Sequence, residues 1–433
     1  MNLLKLPKKF FLNNKNIGYL FFYLGIFLLP SAIFLAIIFL VIAFLLDNFI
    51  SSRKFIKDKW NIPFLISGFF MIISSLIHNF FRENPPENWN QSLSYLGLLN
   101  WIPLFWIFWS SQGYLQTKKD RKFFSLILIA GTLPVLISGF AQIHLNIFGP
   151  YETLYGLIVW YQRETNNQVL TSLFNNQNYA GAWLSIVLPF SIASFLNIAK
   201  SNFKKWISLL FLMSIGWSIL LTNSRSAWGS LLAALPIVIG IDCLIWLIPL
   251  MVILGIFLFI TVMPSLSGNL QDFLRALIPN KIWMEFSSLG FESMDISRTG
   301  IWWNAFKNIL EKPFFGYGGA SFPTIFESQT GFWKGHAHNL PLEIAFSYGL
   351  PSAILIIFTI LFLLVRSFKK IYLIGFYEKN QEKDYFTKAW WASIFILFMT
   401  QQIDVHYFDG RISIMFWILL AGLRNIISTK ENN

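Results

Sequence analysis

Residues 244–263 read LIWLIPLMVILGIFLFITVM, twenty positions without a charged side chain. A helix that crosses a bilayer needs ~20 apolar residues, so this stretch is a membrane span. The reading of the rest follows from it. Directly after it, from Ser265 to Glu343, comes the one long polar stretch of the chain. It carries RTGIWW (298–303), EKPFFGYG (311–318) and GHAHNLPLE (335–343). Arginine and paired histidines in an otherwise apolar chain mark where chemistry can occur.

The composition agrees. Of 433 residues, 55% are hydrophobic and 12% charged, against ~25% charged in soluble domains. The expected class is an all-α, polytopic integral membrane bundle. A net charge of +12 fits Lys and Arg held in cytoplasmic loops rather than nucleic-acid binding. The single cysteine, Cys243, offers neither a disulfide nor a metal cluster. No cleavable signal peptide is read at the N-terminus, where the apolar run is long and lacks a small-residue cleavage site.

Working outward, Gly18–Leu46 is too long for one span and interrupted by Pro30, so it reads as a hairpin of two short helices. Further spans are read at Pro63–Phe80, Ser92–Ser110, Phe123–Phe148, Asn178–Ala199, Trp206–Leu221 and Ala227–Ile241. After Leu244–Met263 come Leu340–Val365, Ala389–His406 and Ile412–Ile427, about twelve in all. This divides the chain into an N-terminal bundle (1–263), a long extracytoplasmic loop with short helices (264–338) and a C-terminal bundle (339–433). With the N-terminus in the cytoplasm, most of the 33 Lys and Arg fall in cytoplasmic segments, including the arm from Lys5 to Lys15, the Arg53–Lys59 cluster and the Arg366–Lys388 loop. Both termini are then inside. Segments Pro150–Gln177, Thr222–Ser226, Ser265–His338 and Asp404–Arg411 all face outside. Pro85-Pro86 marks a short outer loop.

In the long loop, Ser297 is placed to cap a helix running from Arg298 to Leu310. Ile301, Trp302, Ala305, Phe306, Ile309 and Leu310 form an apolar stripe for the membrane surface or the bundle. Arg298 in the first turn, beside free backbone N–H groups, suits an anion. Gly316, Gly318 and Gly319 suggest an exposed turn that a ligand could approach.

Each motif has a plainer reading. Ser224 can cap the helix that Arg225 opens. Arg225 is either an interfacial arginine reaching lipid phosphate or a fixed fork for a diphosphate. His336 and His338 are either solvated or a proton acceptor oriented by Asn339 or Glu343; no third metal ligand lies near them in the sequence, and no metal or other cofactor is expected. Asn175, Asn176 and Asn178 exceed what capping needs and could contact a sugar or pyrophosphate; Asn339 and Glu343 are further candidates for binding the glycan. His144, Asp404, His406 and Asp409 lie near outer helix ends and carry less weight, and His78 reads as interfacial.

Taken in order, Phe174–Asn178, Ser224–Trp228, Arg298–Trp302 with Pro313–Gly318, and His336–Asn339 with Glu343 resemble the O-antigen ligase and O-antigen polymerase superfamily of bacterial membrane proteins. The resemblance implies a metal-independent glycosyltransferase of the plasma membrane, working on its periplasmic face. Its donor would be an undecaprenyl-diphosphate-linked glycan, its acceptor a hydroxyl on a glycan, lipid or protein. It implies that Arg225 and Arg298 bind the donor diphosphate and that His338 activates the acceptor, with His336 in a less certain role. With one base to activate the acceptor and in-line attack by that acceptor opposite the leaving group, inversion at the anomeric carbon is expected. Some superfamily members carry the name of small-anion (bicarbonate-like) transporters. That alternative would use the same arginines but calls for polar groups at mid-membrane.

Overall fold

Pro30 breaks the first apolar run as expected: the chain turns between α1 (Asn14–Leu28) and α2 (Ile33–Ile50). The computed structural model describes residues 14–50, 55–80, 91–165, 169–198, 202–263, 268–277, 297–374 and 384–428. Lys5 to Lys9 of the basic arm, Arg53, the Pro85-Pro86 loop and residues 278–296 of the long polar stretch lie outside the described residues.

Three expected spans are each two helices. The Ser92–Ser110 reading becomes α4 (Gln91–Leu98) and α5 (Ile102–Ser111), following α3 (Ile62–Phe80). Pro103 begins the second piece, where its missing N–H costs nothing. The Phe123–Phe148 reading becomes α6 (Lys118–Gly131) and α7 (Leu133–His144). A reciprocal Thr117–Asp120 capping box starts α6, and Pro134 opens α7. A small hairpin follows, β1 (Tyr151–Thr153) paired antiparallel with β2 (Ile158–Trp160). Then come α8 (Gln177–Asn197), α9 (Asn202–Leu221), α10 (Arg225–Ile239), α11 (Leu244–Val262) and α12 (Asn269–Leu277).

The polar stretch contributes α13 (Arg298–Glu311) and α14 (Phe322–Thr330). The Leu340–Val365 reading becomes α15 (Leu340–Tyr348) and α16 (Leu350–Phe368), and α17 (Tyr385–Thr400) and α18 (Gly410–Ser428) complete the chain. The break between α15 and α16 is Gly349, at φ +85°. A Cβ there would lie 2.1 Å from the Phe314 carbonyl oxygen. The PFFGYG turn docks into this break. Tyr317 N–H donates to Phe346 O (2.8 Å), Gly318 N–H to Ser347 O (2.9 Å) and Leu350 N–H to Pro313 O (2.7 Å). Gly316–Gly319 is therefore buried, and the close approach its glycines permit is to protein backbone rather than to a ligand. His78, read as interfacial, is buried beneath this turn, with Nδ1 2.7 Å from Ser74 O.

Among the described residues, eight helical segments are long and apolar enough to cross a membrane, and three shorter apolar ones cover Asn16–Leu28, Ile33–Asp47 and Arg225–Ile239. The chain is a multi-pass helical membrane protein. Burial sorts these helices. Most of α8 and α18 is buried inside the protein, while α11, the stretch quoted first, is almost wholly exposed. Hydrocarbon solvates a leucine face as well as a core does, so the most apolar helix needs the fewest protein neighbours. α8 packs on α17 and α10, α5 on α18, and α3 on α16, which joins the two halves of the chain in one core.

Hydrogen bonds tie the helix connections together at each end. At one end, Trp160 Nε1 donates to Ser31 O (2.7 Å), Tyr407 Oη to Asn100 O (2.8 Å) and Arg411 to Leu173 O (3.0 Å). At the other, Arg424 meets Asp58 (3.0 Å), Asn425 donates to Gln112 O (2.8 Å) and Lys118 pairs with Asp384 (3.3 Å). The polar motifs belong to the first end.

Candidate functional site

α15 begins where Asn339 caps it: its Oδ1 accepts Leu342 N–H at 3.0 Å. The same side chain donates to Gln402 O (2.9 Å), and Leu340 N–H donates to Gln401 O (2.9 Å). The start of α15 is thus stitched to the α17–α18 connection. Just before the cap, the His-Ala-His segment curls tightly. His338 takes φ +51°, a left-handed conformation a non-glycine residue holds only when its surroundings enforce it. Those surroundings are visible. Glu343 Oε2 accepts Ala337 N–H at 2.8 Å, and His338 N–H reaches His336 Nδ1 at 3.2 Å.

That curl sets His338 Nδ1 2.8 Å from Asp404 Oδ1. Asp404 is itself fixed: Val405 N–H donates to its Oδ1 and Asn178 Nδ2 to its Oδ2, both at 2.9 Å. Burial alone would raise the Asp404 carboxyl. The His338 hydrogen bond and the surrounding rings of His406, His338 and His336 hold it well below the usual range instead. Asp404 is therefore a carboxylate that takes the Nδ1 proton of His338 as an acceptor, which leaves Nε2 as the basic nitrogen. His336, with its ring 4.3 Å from that of His338, is pulled down to about 4, by burial first and then by His338, against the pull of Asp404. Burial likewise lowers His406. Both are neutral near pH 7.

Arg298 opens α13, and Ser297 caps that helix as expected, accepting Gly300 N–H at 3.2 Å. Its positive charge is felt at both His336 and His406, so the guanidinium lies within electrostatic reach of the histidine cluster. Its Nε is buried and has no hydrogen-bond partner among the described residues. The stripe behind it is narrower than expected: Ile301, Ala305 and Ile309 are buried, while Phe306 and Leu310 face outward with Trp303. Asn308 takes the remaining inward position, paired with Gln329 of α14.

Arg225 opens α10 on the turn that follows α9. Ser224 holds the cap position, but its hydroxyl meets Ser226 Oγ (3.1 Å) instead of capping the helix. This turn lies against α8 at Gly181, where a Cβ would be 3.2 Å from Ser224 Cβ, one helical turn from Asn178. Of the three asparagines, Asn176 caps α8 through Tyr179 N–H (3.0 Å), Asn178 holds Asp404, and Asn175 has a buried Oδ1 without a partner among the described residues.

Asp404 is thus the residue that sequence reasoning underweighted. Its signal was present, an Asp and a His two positions apart near a helix end, but its pairing with His338 is a tertiary fact. The same residue corrects another reading. The ligand atoms of His336, His338 and Asp404 lie within 4.8 Å of one another, so a third metal-ligand type does stand beside the pair. The 2.8 Å contact between His338 and Asp404 is a hydrogen bond, however, and an ion bound by both would have to replace its proton. Asp409, weighted equally from sequence, instead pairs with Arg411 (2.8 Å), whose guanidinium lies over the Phe174 ring at 3.9 Å. His144 lies apart, exposed and against Phe140.

Fold and site together define a multi-pass helical membrane protein with a carboxylate–histidine pair and a neighbouring arginine at one end of its bundle. Residues 208–357 match the family model described as O-Antigen ligase. The match, over about a third of the chain, supports the superfamily that the order of motifs led us to expect, and it spans Arg225, Arg298, His336 and His338. It supports a membrane glycosyltransferase-like function with lipid-linked glycan substrates in general. A search of curated proteins finds no match.

Proposed function

We propose that the protein transfers a glycan from an undecaprenyl-diphosphate donor to an acceptor hydroxyl, on the periplasmic face of a bacterial plasma membrane, with both termini cytoplasmic and about twelve spans. The observation that carries this is the His338–Asp404 pair beside Arg298. Asp404 fixes the tautomer in which His338 Nε2 is free to take the acceptor's proton, and it stabilises the imidazolium that forms. The acceptor oxygen attacks the anomeric carbon, the bond to the diphosphate breaks, and that diphosphate leaves with its electron pair. Arg298 and Arg225 neutralise the developing charge. Their preorganised forks do the work that a metal ion does elsewhere. Attack opposite the leaving group inverts the anomeric carbon.

The test is incubation of purified protein with lipid-diphosphate glycan and candidate acceptors in EDTA. Transfer supports the reading. Solute uptake into vesicles that depends on Arg225, without any transfer, would favour a small-anion transporter instead.

A further inference from the structure

On the Glu343 side of the histidine turn the fold leaves a cavity of about 170 Å³. Drug-sized ligands occupy pockets of ~300–1,000 Å³, so this one takes a single ring-sized group. Its inner wall is Trp101 and Tyr348, both 2% exposed. Trp101 is held rigid by stacking on Tyr407 at 4.3 Å, and Tyr407 Oη is bonded in turn to Asn100 O and to Trp417 Nε1, both at 2.8 Å. The polar lining is Glu343 and Ser347, one turn apart on α15, with Asn100 at the rim. The rim also includes Gly335, next to His336, and Phe408, whose ring lies 6.2 Å from that of His336.

We propose that this cavity seats one pyranose ring of the acceptor. The inference rests on the glycan-transfer reading. Rigid aromatic walls suit the C–H face of a sugar, and a carboxyl, a hydroxyl and an amide suit its hydroxyls. Glu343 is buried and, among the described residues, makes two hydrogen bonds, from Ala337 N–H (2.8 Å) and from Ser347 Oγ (3.4 Å). Burial pushes its carboxyl up to about 7, so near neutral pH it can donate to a sugar hydroxyl or accept from one. Because its bond to Ala337 also shapes the histidine turn, a ring seated here is coupled directly to the base. Its outward hydroxyl faces the rim at Gly335, beside that turn.

The test has two arms, both with full-length protein in lipid nanodiscs free of sugar detergents. In the first, saturation-transfer NMR is recorded with methyl glucoside, methyl galactoside and N-acetylglucosamine. At least one should show contact with the protein, and the signal should fall severalfold in Asn100→Ala and Phe408→Ala, rim changes that spare the core. In the second, both variants should raise the acceptor KM about tenfold, the loss of roughly one contact, with the donor KM unchanged. No sugar contact, or contact unaltered in both variants, overturns the inference. Normal transfer with an unchanged acceptor KM also overturns it, while leaving the glycosyltransferase reading intact. Absence of any transfer by the wild type would instead remove the reading beneath it, and the NMR arm then decides the cavity alone.

Discussion

Asp404 Oδ1 lies 2.8 Å from His338 Nδ1 although 66 residues separate them. The contact is built from three sides: the left-handed backbone of His338, the capped start of α15, and Asn178 reaching from α8. Asp404→Asn keeps an oxygen for Nδ1–H but removes the charge that stabilises the imidazolium. Its kcat should fall by about 10²–10⁴ with little change in donor KM. Steady-state kinetics of glycan transfer check this; an unchanged kcat would remove Asp404 from the mechanism.

Arg298 should resist conservative replacement. A guanidinium presents a planar fork to two phosphate oxygens, and an ammonium offers only a point charge. Arg298→Ala should cost about 10²–10³ in kcat, the loss typical of a removed oxyanion donor. Arg298→Lys should recover only a small part of it. Full rescue by lysine at matched membrane levels would mean that only charge matters there.

Glu343 gives the fold a pH dependence whose sign follows from its raised carboxyl. The folded state holds this proton more tightly than the unfolded chain, whose value is about 4.5. The resulting stabilisation is fully present below about 4.5 and is lost as pH rises through about 7. Between those limits the melting temperature of the wild type should fall relative to Glu343→Gln. Parallel melting curves of both proteins that stay a constant distance apart across this window would contradict the assignment.

Gly349 carries the junction between the PFFGYG turn and the start of α16. Alanine there meets the Phe314 carbonyl at 2.1 Å and must hold φ +85°. Gly349→Ala should therefore lower the amount of folded protein in the membrane sharply. Gly229→Ala, where nothing lies within 4 Å, should leave it unchanged. Quantifying detergent-extracted, monodisperse protein for both variants separates the two cases.

Much of this architecture was legible in the chain. Apolar length and Pro30 placed the helices, and Ser297 marked the start of α13, because those are local properties. The breaks at Leu99–Trp101, Thr132 and Gly349 were missed for one reason: the chain is apolar on both sides of each, so hydropathy carries no mark of the break. Gly316–Gly319 misled in a related way. Glycine announces a close approach without naming the approaching group, and here it was the α15–α16 backbone. Of the candidate site, Arg298 and the His336–His338 pair stood out in the sequence as polar motifs in an apolar chain. Asp404 did not, because its importance comes from burial beside three imidazoles, and only the folded chain brings those together.

In the proposed mechanism His338 and Arg298 serve one transfer reaction. The most direct measurement is glycan transfer by purified protein from undecaprenyl-diphosphate glycan, comparing wild type with His338→Ala, Arg298→Ala and the double variant. Each single change should reduce kcat at least about a hundredfold, and the double variant should lose less than the product of the two, as residues acting as a unit do. Transfer at the wild-type rate by either single variant, in folded protein at equal amounts, would exclude that residue from the reaction and overturn the mechanism.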